Sequence, residues 1–288
     1  MAMRLWQRLT PLYDAGEAKA IVRLVLEDRF GLTFTDIACG KVEELSVEAA
    51  TELESIMRRL EHAEPVQYIL GKASFCGLTL QVSPGVLIPR PETEELVEWI
   101  KETASCLIPS SIPPAPCSIL DIGTGSGCIA IALASATADS EVTAWDVSEQ
   151  ALSIARENAR QNGVHVTFEH HDILSRQENE QGDTRRWDIV VSNPPYICRK
   201  ERSSMERNVL EYEPGLALFV PDDDPLKFYE AIASFSMKSL KNGGSLYFEI
   251  NPAYARDLQK MLREIGYKDI IIREDSYGKQ RMAKATKP

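Results

Sequence analysis

The chain has 288 residues, room for one large domain or two ordinary ones, and a globular composition with 44% hydrophobic and 7% aromatic residues. No apolar run is long enough to span a bilayer, and the start, Met1-Ala2-Met3-Arg4-Leu5-Trp6, has no signal-peptide core, so a cytoplasmic protein with no membrane partner is expected. A net charge of −11 without any block of Lys or Arg repels free nucleic acid unless tertiary structure assembles a basic patch, and it suits a basic protein partner.

Residues 1 to about 70 read as helical. Ile21, Leu24 and Val25 share a helical face within residues 18–26, and Phe30-Gly31 marks the end of that helix. Residues 46–62 carry Leu53, Ile56, Met57 and Leu60 at helical spacing, with acids early and Arg58-Arg59 late, the order that suits the helix dipole; Pro65 is the expected stop. No catalytic constellation stands here, so a small bundle for packing or recognition is expected. From residue 73 the pattern becomes strand-like. Residues 75–82 and 86–88 flank Ser83-Pro84-Gly85, a type II turn sequence, which predicts a hairpin between two domains. Pro91 and the acids Glu92, Glu94 and Glu95 open a helix to about residue 104, and residues 109–116 are too proline-rich for an element.

Beyond that loop, strands and helices alternate. Strands are predicted at 118–122, 142–146, 164–169, 187–192 and 244–250. Helices are predicted at 128–136, 148–161 (capped by Ser148, ended by Gly163), 224–240 (Pro225 in its first turn) and 252–265. A polar stretch at 174–186 reads as a short helix and loop, and 268–272 with 281–284 as a closing antiparallel pair. Repeated βα units imply a parallel sheet covered on both faces.

Two stretches carry chemistry. Ser192-Asn193-Pro194-Pro195-Tyr196 follows the apolar strand 187–191. Neither proline has an N–H for a sheet ladder, so the strand must stop and leave a stiff polar turn at its carboxyl end, where open α/β sheets bind ligands. Asn193, the prolyl carbonyls and the Tyr196 ring are a set of parts for gripping a planar –NH2 group. The second stretch is Asp121-Ile122-Gly123-Thr124-Gly125-Ser126-Gly127. Its GxGxG spacing departs from the GxGxxG of nicotinamide enzymes and resembles the loop that holds S-adenosylmethionine. Asp146, at the next strand end, suits the ribose hydroxyls, or else caps the following helix. Asp172, at the third, suits the adenine amino group with Ile173 beside the ring, or else is a plain exposed acid. Carbonyl oxygens of Asn193 and Pro194 would take both hydrogens of an amide or exocyclic amine and orient its nitrogen toward a methyl donor. The six scattered cysteines and four histidines show no metal-ligand spacing, so no metal is expected, and His170-His171 reads as structural or solvent-facing.

Together, Pro89-Arg90-Pro91-Glu92-Thr93-Glu94, the Asp121 to Gly127 loop, the Asn193 to Tyr196 turn and Glu213-Pro214 resemble the HemK/PrmC family, the protein-(glutamine-N5) methyltransferases of peptide chain release factors. The resemblance spans essentially the whole chain. It implies a Rossmann-like S-adenosylmethionine-dependent α/β domain with a mostly parallel seven-stranded sheet at 91–288. A helical substrate-recognition domain at 1–71 and a hairpin linker at 72–90 would precede it. It implies S-adenosyl-L-methionine as cofactor (S-adenosyl-L-homocysteine as product), held by Gly123, Thr124, Gly125, Ser126, Gly127 and Asp146, with Asp172 and Ile173 at the adenine and Asn193 beside the donor. Asn193, Pro194, Pro195 and Tyr196 would hold the glutamine amide of a Gly-Gly-Gln motif, with Asn193, Pro194 and Tyr196 catalytic. Relatives often carry an aromatic residue where Ile173 stands here. Arg90, Pro91 and Thr93 resemble the stretch near the active-site mouth. The irregular segment 198–224, with Glu211 and Glu213, is expected to cover the substrate. The implied partner is a release factor, with a monomeric enzyme and no direct DNA binding. Residue chemistry alone leaves other readings open: an adenine-N6 methyltransferase, whose substrate also presents a planar –NH2, or a glutamine methyltransferase of a ribosomal protein. A dehydrogenase lacks its hydride-transfer constellation here, and the intact Asn193 and glycine loop count against an inactive binding module.

Overall fold

The computed structural model describes residues 5–107, 116–136, 140–175 and 185–288. The chain divides into two units. One holds residues up to Lys72 together with Met205–Glu213, and the other holds Ala73–Ser204 and Pro214–Pro288.

In the first unit, helix α1 (Ala15–Phe30) starts where the Asp14 carboxylate accepts the N–H groups of Gly16 and Glu17, and it ends at Gly31 in the left-handed conformation. It buries Ala18, Val22, Val25 and Leu26. That face is rotated from the one expected, and Leu24 is 42% exposed. Helix α2 (Phe34–Ala38) carries a Thr33–Asp36 capping box. Helix α3 (Val47–Glu61) is capped by Ser46 and buries Leu53, Ile56, Met57 and Leu60, as their spacing predicts. It ends at His62 with Ala63 at positive φ, so Pro65 does not stop it; Pro65 caps the next short helix, α4 (Val66–Leu70). The late segment Met205–Glu213 belongs to this unit, and the Tyr212 hydroxyl donates to the His62 carbonyl at 3.0 Å.

The hairpin is built from β1 (Lys72–Phe75) and β2 (Leu78–Gln81). Its turn is Cys76-Gly77, both at positive φ, in place of the expected Ser83-Pro84-Gly85. Two consecutive left-handed residues match the twist of a two-residue hairpin, but a cysteine gives no sign of that conformation in a sequence. Helix α5 (Pro91–Leu107) follows, with Pro91 at its first position.

The remaining elements are β3 (Cys117–Ile122), α6 (Cys128–Ala136), β4 (Ser140–Asp146), α7 (Glu149–Gln161), β5 (Thr167–His170) and β6 (Trp187–Ser192). A small parallel pair follows, β7 (Ile197–Cys198) with β8 (Phe219–Val220), enclosing α8 (Arg207–Tyr212) and α9 (Gly215–Leu218) in sequence. Last come α10 (Lys227–Ser239), β9 (Leu240–Glu249), α11 (Ala255–Ile265), β10 (Lys268–Glu274) and β11 (Gln280–Thr286). Helix α10 begins two residues after Pro225, and a single 3-10 turn at Pro252–Tyr254 precedes α11. The proline-rich loop expected at 109–116 and the short helix expected within 174–186 lie largely outside the described residues.

Seven strands form one sheet in the order β10-β11-β9-β6-β3-β4-β5. The five from β9 to β5 are parallel, and β11 runs antiparallel to both its neighbours. Successive residues alternate between faces. Ile119, Ile189 and Val191 join a core with Phe75, Leu96, Ile100 and Leu133, while Leu120, Ile122 and Val190 join one with Tyr229, Ile232, Leu246 and Leu258. The chain order reverses between β3 and β6, so their carboxyl ends flank the crevice in which such sheets bind ligands. No described helix is long and apolar enough to cross a membrane.

Candidate active site

One pocket opens at the carboxyl ends of β3, β4, β5 and β6. Gly123, Thr124, Gly125, Ser126, Asp146, Asp172, Ile173, Asn193, Pro194 and Pro195 all line it, with Arg90 and Thr93. Its apolar wall includes Ile129, Phe228 and Ile232, and Pro214, Leu216 and Ala217 from the irregular segment complete it. Gly127 and Tyr196 lie outside this lining.

The glycine loop is folded onto β4. The N–H groups of Gly123 and Thr124 both donate to the Trp145 carbonyl, at 2.8 and 3.0 Å, and the Gly125 N–H donates to Asp146 Oδ2 at 2.8 Å. Gly123, Gly125 and Gly127 all have positive φ. A Cβ added at Gly123 or Gly125 meets no protein atom within 4 Å, so both leave open space in the pocket for a ligand to approach the backbone. At Gly127 the same atom lies 2.9 Å from Ile131 and 3.0 Å from Ala155, so that glycine serves the close approach of α6 and α7. Beneath the loop, Asp121 is fully buried and accepts from the Thr124 hydroxyl at 2.6 Å. Burial pushes its carboxyl up to about 7.

Asp146 Oδ1 accepts the Ser148 N–H at 2.8 Å, so the acid braces the start of α7, whose N-cap is Ser148 itself. Burial raises its pKa, opposed by these N–H donors. Asp172 Oδ1 accepts the Leu174 N–H at 2.9 Å, and Ile173 is buried. His171 lines the pocket and stacks on Trp145 at 4.0 Å, whereas His170 contacts the Val147 carbonyl through Nε2. No group of three or more His, Cys, Asp or Glu side chains is placed to hold a metal among the described residues.

At the mouth, β6 ends at Ser192 and the turn begins. Asn193 Nδ2 donates to Glu249 Oε2 at 3.0 Å and contacts Thr93 Oγ1 at 3.3 Å. The Thr93 hydroxyl donates to Glu249 Oε2 at 2.5 Å, and the Tyr196 hydroxyl to Glu249 Oε1 at 2.9 Å. Tyr196 packs its ring against the core under α10 rather than on the pocket. Burial raises both acids of this cluster, the Glu249 carboxyl and, well above its ordinary value, the Tyr196 phenol, so the phenol keeps its proton.

Sequence reasoning passed over Glu249 and Asn158. An acid inside the apolar run Leu246-Tyr247-Phe248-Glu249-Ile250 was a usable signal, because buried carboxylates are rare without a reason. Its partner was invisible until β9 was known to lie beside β6, with Ser192 opposite Phe248. Asn158, fully buried on α7, donates to the Ser126 carbonyl at 2.9 Å and so supports the glycine loop from below.

A doubly wound sheet with a GxGxG loop, strand-end acids and an Asn-Pro-Pro turn around one switch-point pocket defines a Rossmann-like methyltransferase. The methyltransferase small domain family matches residues 102–211, and the PrmC N-terminal domain family matches residues 7–71. The release factor glutamine methyltransferase of Bacteroides thetaiotaomicron is 47% identical over 98% of this chain and 97% of that protein. The enzyme of the same description from Flavobacterium psychrophilum is 41% identical over 96% of this chain and 95% of its own. Among solved structures, a T. thermophilus 16S rRNA methyltransferase (RsmC) in complex with AdoMet and guanosine shares the fold, with a TM-score of 0.53 and 19% identity over 75% of this chain and 50% of that one. The chain belongs to the release factor glutamine methyltransferase family.

Proposed function

We propose that this protein transfers a methyl group from S-adenosyl-L-methionine to the side-chain amide nitrogen (N5) of the glutamine in the Gly-Gly-Gln motif of peptide chain release factors, in the cytoplasm and as a monomer. The observation that carries this reading is the convergence of the glycine loop, Asp146, Asp172 and the Asn193-Pro194-Pro195 turn on one pocket. Family membership at 47% identity over nearly the whole chain supports a release factor glutamine as the substrate.

Gly123 to Ser126 and Asp146 would hold the cofactor, with Asp172 and Ile173 toward its base; the open space at Gly123 and Gly125 fits this. The cofactor brings an electrophilic methyl group that needs no activation by the protein. The chain's own work falls on the nucleophile. An amide nitrogen is a poor nucleophile because its lone pair is conjugated with the carbonyl. Acceptance of its two hydrogens by the Asn193 side-chain oxygen and the Pro194 carbonyl would orient the nitrogen and favour the positive charge that develops as the bond forms. Orientation of this kind contributes several kcal/mol, on the order of half the full effect of intramolecular positioning. The surplus proton leaves to solvent after transfer. Residues 1–71 would serve recognition, and Tyr196 would support the turn from behind.

The test supplies radiolabelled S-adenosylmethionine with release factor, with a Gln→Ala variant of its Gly-Gly-Gln motif, and with DNA. Label is expected on the unaltered factor alone. Label on DNA, or equal label on the variant, overturns the assignment. Asn193→Ala should lower kcat by about 100-fold while changing cofactor affinity by less than about threefold, since its loss removes an acceptor that acts on the nucleophile.

A further inference from the structure

The Asn193 side chain has two unlike ends, and only one suits an amide substrate. Its oxygen accepts a hydrogen bond from the substrate nitrogen; its own –NH2 would meet that nitrogen donor to donor. The two ends have nearly the same shape, so sterics alone does not select between them. We propose that Glu249, seconded by Thr93, is a positioning residue that holds the Asn193 amide with its nitrogen turned into the protein and its oxygen left for the substrate. This rests on the reading of Asn193 as the clamp of a glutamine amide.

The hydrogen-bond directions around Glu249 carry the inference. Burial favours the protonated acid, but the Thr93 and Tyr196 hydrogen bonds favour the carboxylate, and as a carboxylate Glu249 only accepts, so whatever faces it must donate. Three groups do: the Asn193 –NH2 and the Thr93 hydroxyl at Oε2, and the Tyr196 hydroxyl at Oε1. Because the Thr93 proton is committed to Glu249, the Thr93 oxygen is left as an acceptor, and it faces the same Asn193 nitrogen at 3.3 Å. Both nearby partners therefore demand the nitrogen. Rotating the amide by half a turn would set Asn193 Oδ1 against Glu249 Oε2 at about hydrogen-bond distance, two acceptors without a proton between them. Glu249 and Thr93 are each 2% exposed, so no water is at hand to relieve that contact. Asn193 Oδ1 has no hydrogen-bond donor among the described residues, and Asn193 lines the pocket. The acid is costly to bury. The three donors offset that cost, and their arrangement leaves one acceptor, the Asn193 oxygen, for the pocket.

Strand order supplies the geometry. Ser192 and Phe248 are opposite one another on β6 and β9, so Asn193, the first residue beyond β6, and Glu249, the last residue of β9, come to the same level. Thr93 arrives from the first turn of α5, 156 residues away in sequence from Glu249.

Four variants and a reporter that needs no turnover test the proposal. Glu249→Met removes both acceptors at similar length; kcat on release factor should fall about 30-fold or more, while KM and cofactor Kd stay within about threefold. Glu249→Gln keeps one carbonyl oxygen for Asn193 and Thr93 and can donate to Tyr196, so it should recover most of that loss. Thr93→Val should lower kcat about fivefold, and Thr93→Ser should restore it. In 15N NMR without any acceptor substrate, the Asn193 side-chain –NH2 should exchange slowly with solvent in the wild-type protein and faster in Glu249→Met. A folded Glu249→Met enzyme with kcat within about threefold of wild type, or with unchanged –NH2 exchange, overturns the proposal. If Glu249→Met does not fold, Thr93→Val decides, and wild-type kcat there overturns it. A wild-type protein that fails to methylate release factor defeats the proposed activity instead, and the NMR arm still tests the hold of Glu249 on Asn193.

Discussion

The backbone N–H of Gly125 donates to Asp146 Oδ2 at 2.8 Å, tying the middle of the glycine loop to the end of the neighbouring strand. One carboxylate thus shapes the loop and remains at the pocket wall, with Oδ1 engaged at the start of α7. Asp146→Ala is expected to weaken S-adenosylmethionine binding by about 30-fold or more, the scale of a lost charge-assisted hydrogen bond together with a loosened loop. Calorimetry reads the affinity, and hydrogen exchange of the Gly125 amide reads the loop. An unchanged Kd with faster exchange would confine Asp146 to the loop.

Asp121 predicts a stability that depends on pH. Its carboxyl is raised from 3.8 to about 7 by full burial. Between those values the native protein holds a proton that the unfolded chain releases, so the native state is favoured below 3.8 and loses that advantage as pH rises through 7. Asp121→Asn cannot ionise and should not share the loss. The melting temperature of the wild type relative to this variant should therefore fall by several degrees between pH 5 and pH 8 in the absence of ligand. A difference that is constant across this range would show that Asp121 is ionised throughout.

Two glycines with the same backbone conformation should respond differently to alanine. At Gly127 the added methyl meets Ile131 and Ala155 at 2.9 and 3.0 Å, so Gly127→Ala combines positive-φ strain with overpacking. A loss of about 2–4 kcal/mol is expected, measured by denaturant unfolding. At Gly123 the methyl enters open pocket space. Gly123→Ala should cost only about 1 kcal/mol for the backbone and show its effect in cofactor affinity.

Asn158 joins three parts of the second unit. Its Oδ1 accepts the Gln81 N–H at 2.6 Å, and its Nδ2 donates to the carbonyls of Gln81 and Ser126 at 3.0 and 2.9 Å. The hairpin strand, α7 and the glycine loop therefore share one buried amide. Asn158→Ala leaves three backbone groups unpaired and should cost about 3 kcal/mol, with a lower cofactor affinity accompanying the lower melting temperature. A neutral effect on both would mean that water replaces the amide.

Much of the fold was legible in local signals. Helix α3 followed from four apolar residues at helical spacing with acids early and Arg58-Arg59 late, and β6 from an apolar run ended by two prolines. Helix α6 spans the predicted residues without change. The misplaced features have local causes. The face of α1 shifted because tertiary packing chose Val22 and Leu26 over Ile21 and Leu24. The hairpin turn moved because Cys76 took a positive φ that its residue type does not announce. The segment Met205–Glu213 joined the first unit, a long-range association with no periodic signature in the sequence.

By itself the sequence determined the parts: where strands end, which loop has glycines free to approach a ligand, and which turn offers Asn193 and two prolines. These are properties of backbone freedom and side-chain period, and they act within a few residues. Only the tertiary structure decided which parts meet. Strand order set β9 beside β6, and helix packing set α5 against β9, so Glu249 and Thr93 came to Asn193 from 56 and 100 residues away. The same packing turned the Tyr196 hydroxyl inward to Glu249 and gave Gly127 to helix packing rather than to the pocket. The physical reason is that hydrogen-bond direction in a buried cluster depends on every neighbour at once, and those neighbours are brought together by sheet pairing and burial, which a linear pattern does not encode.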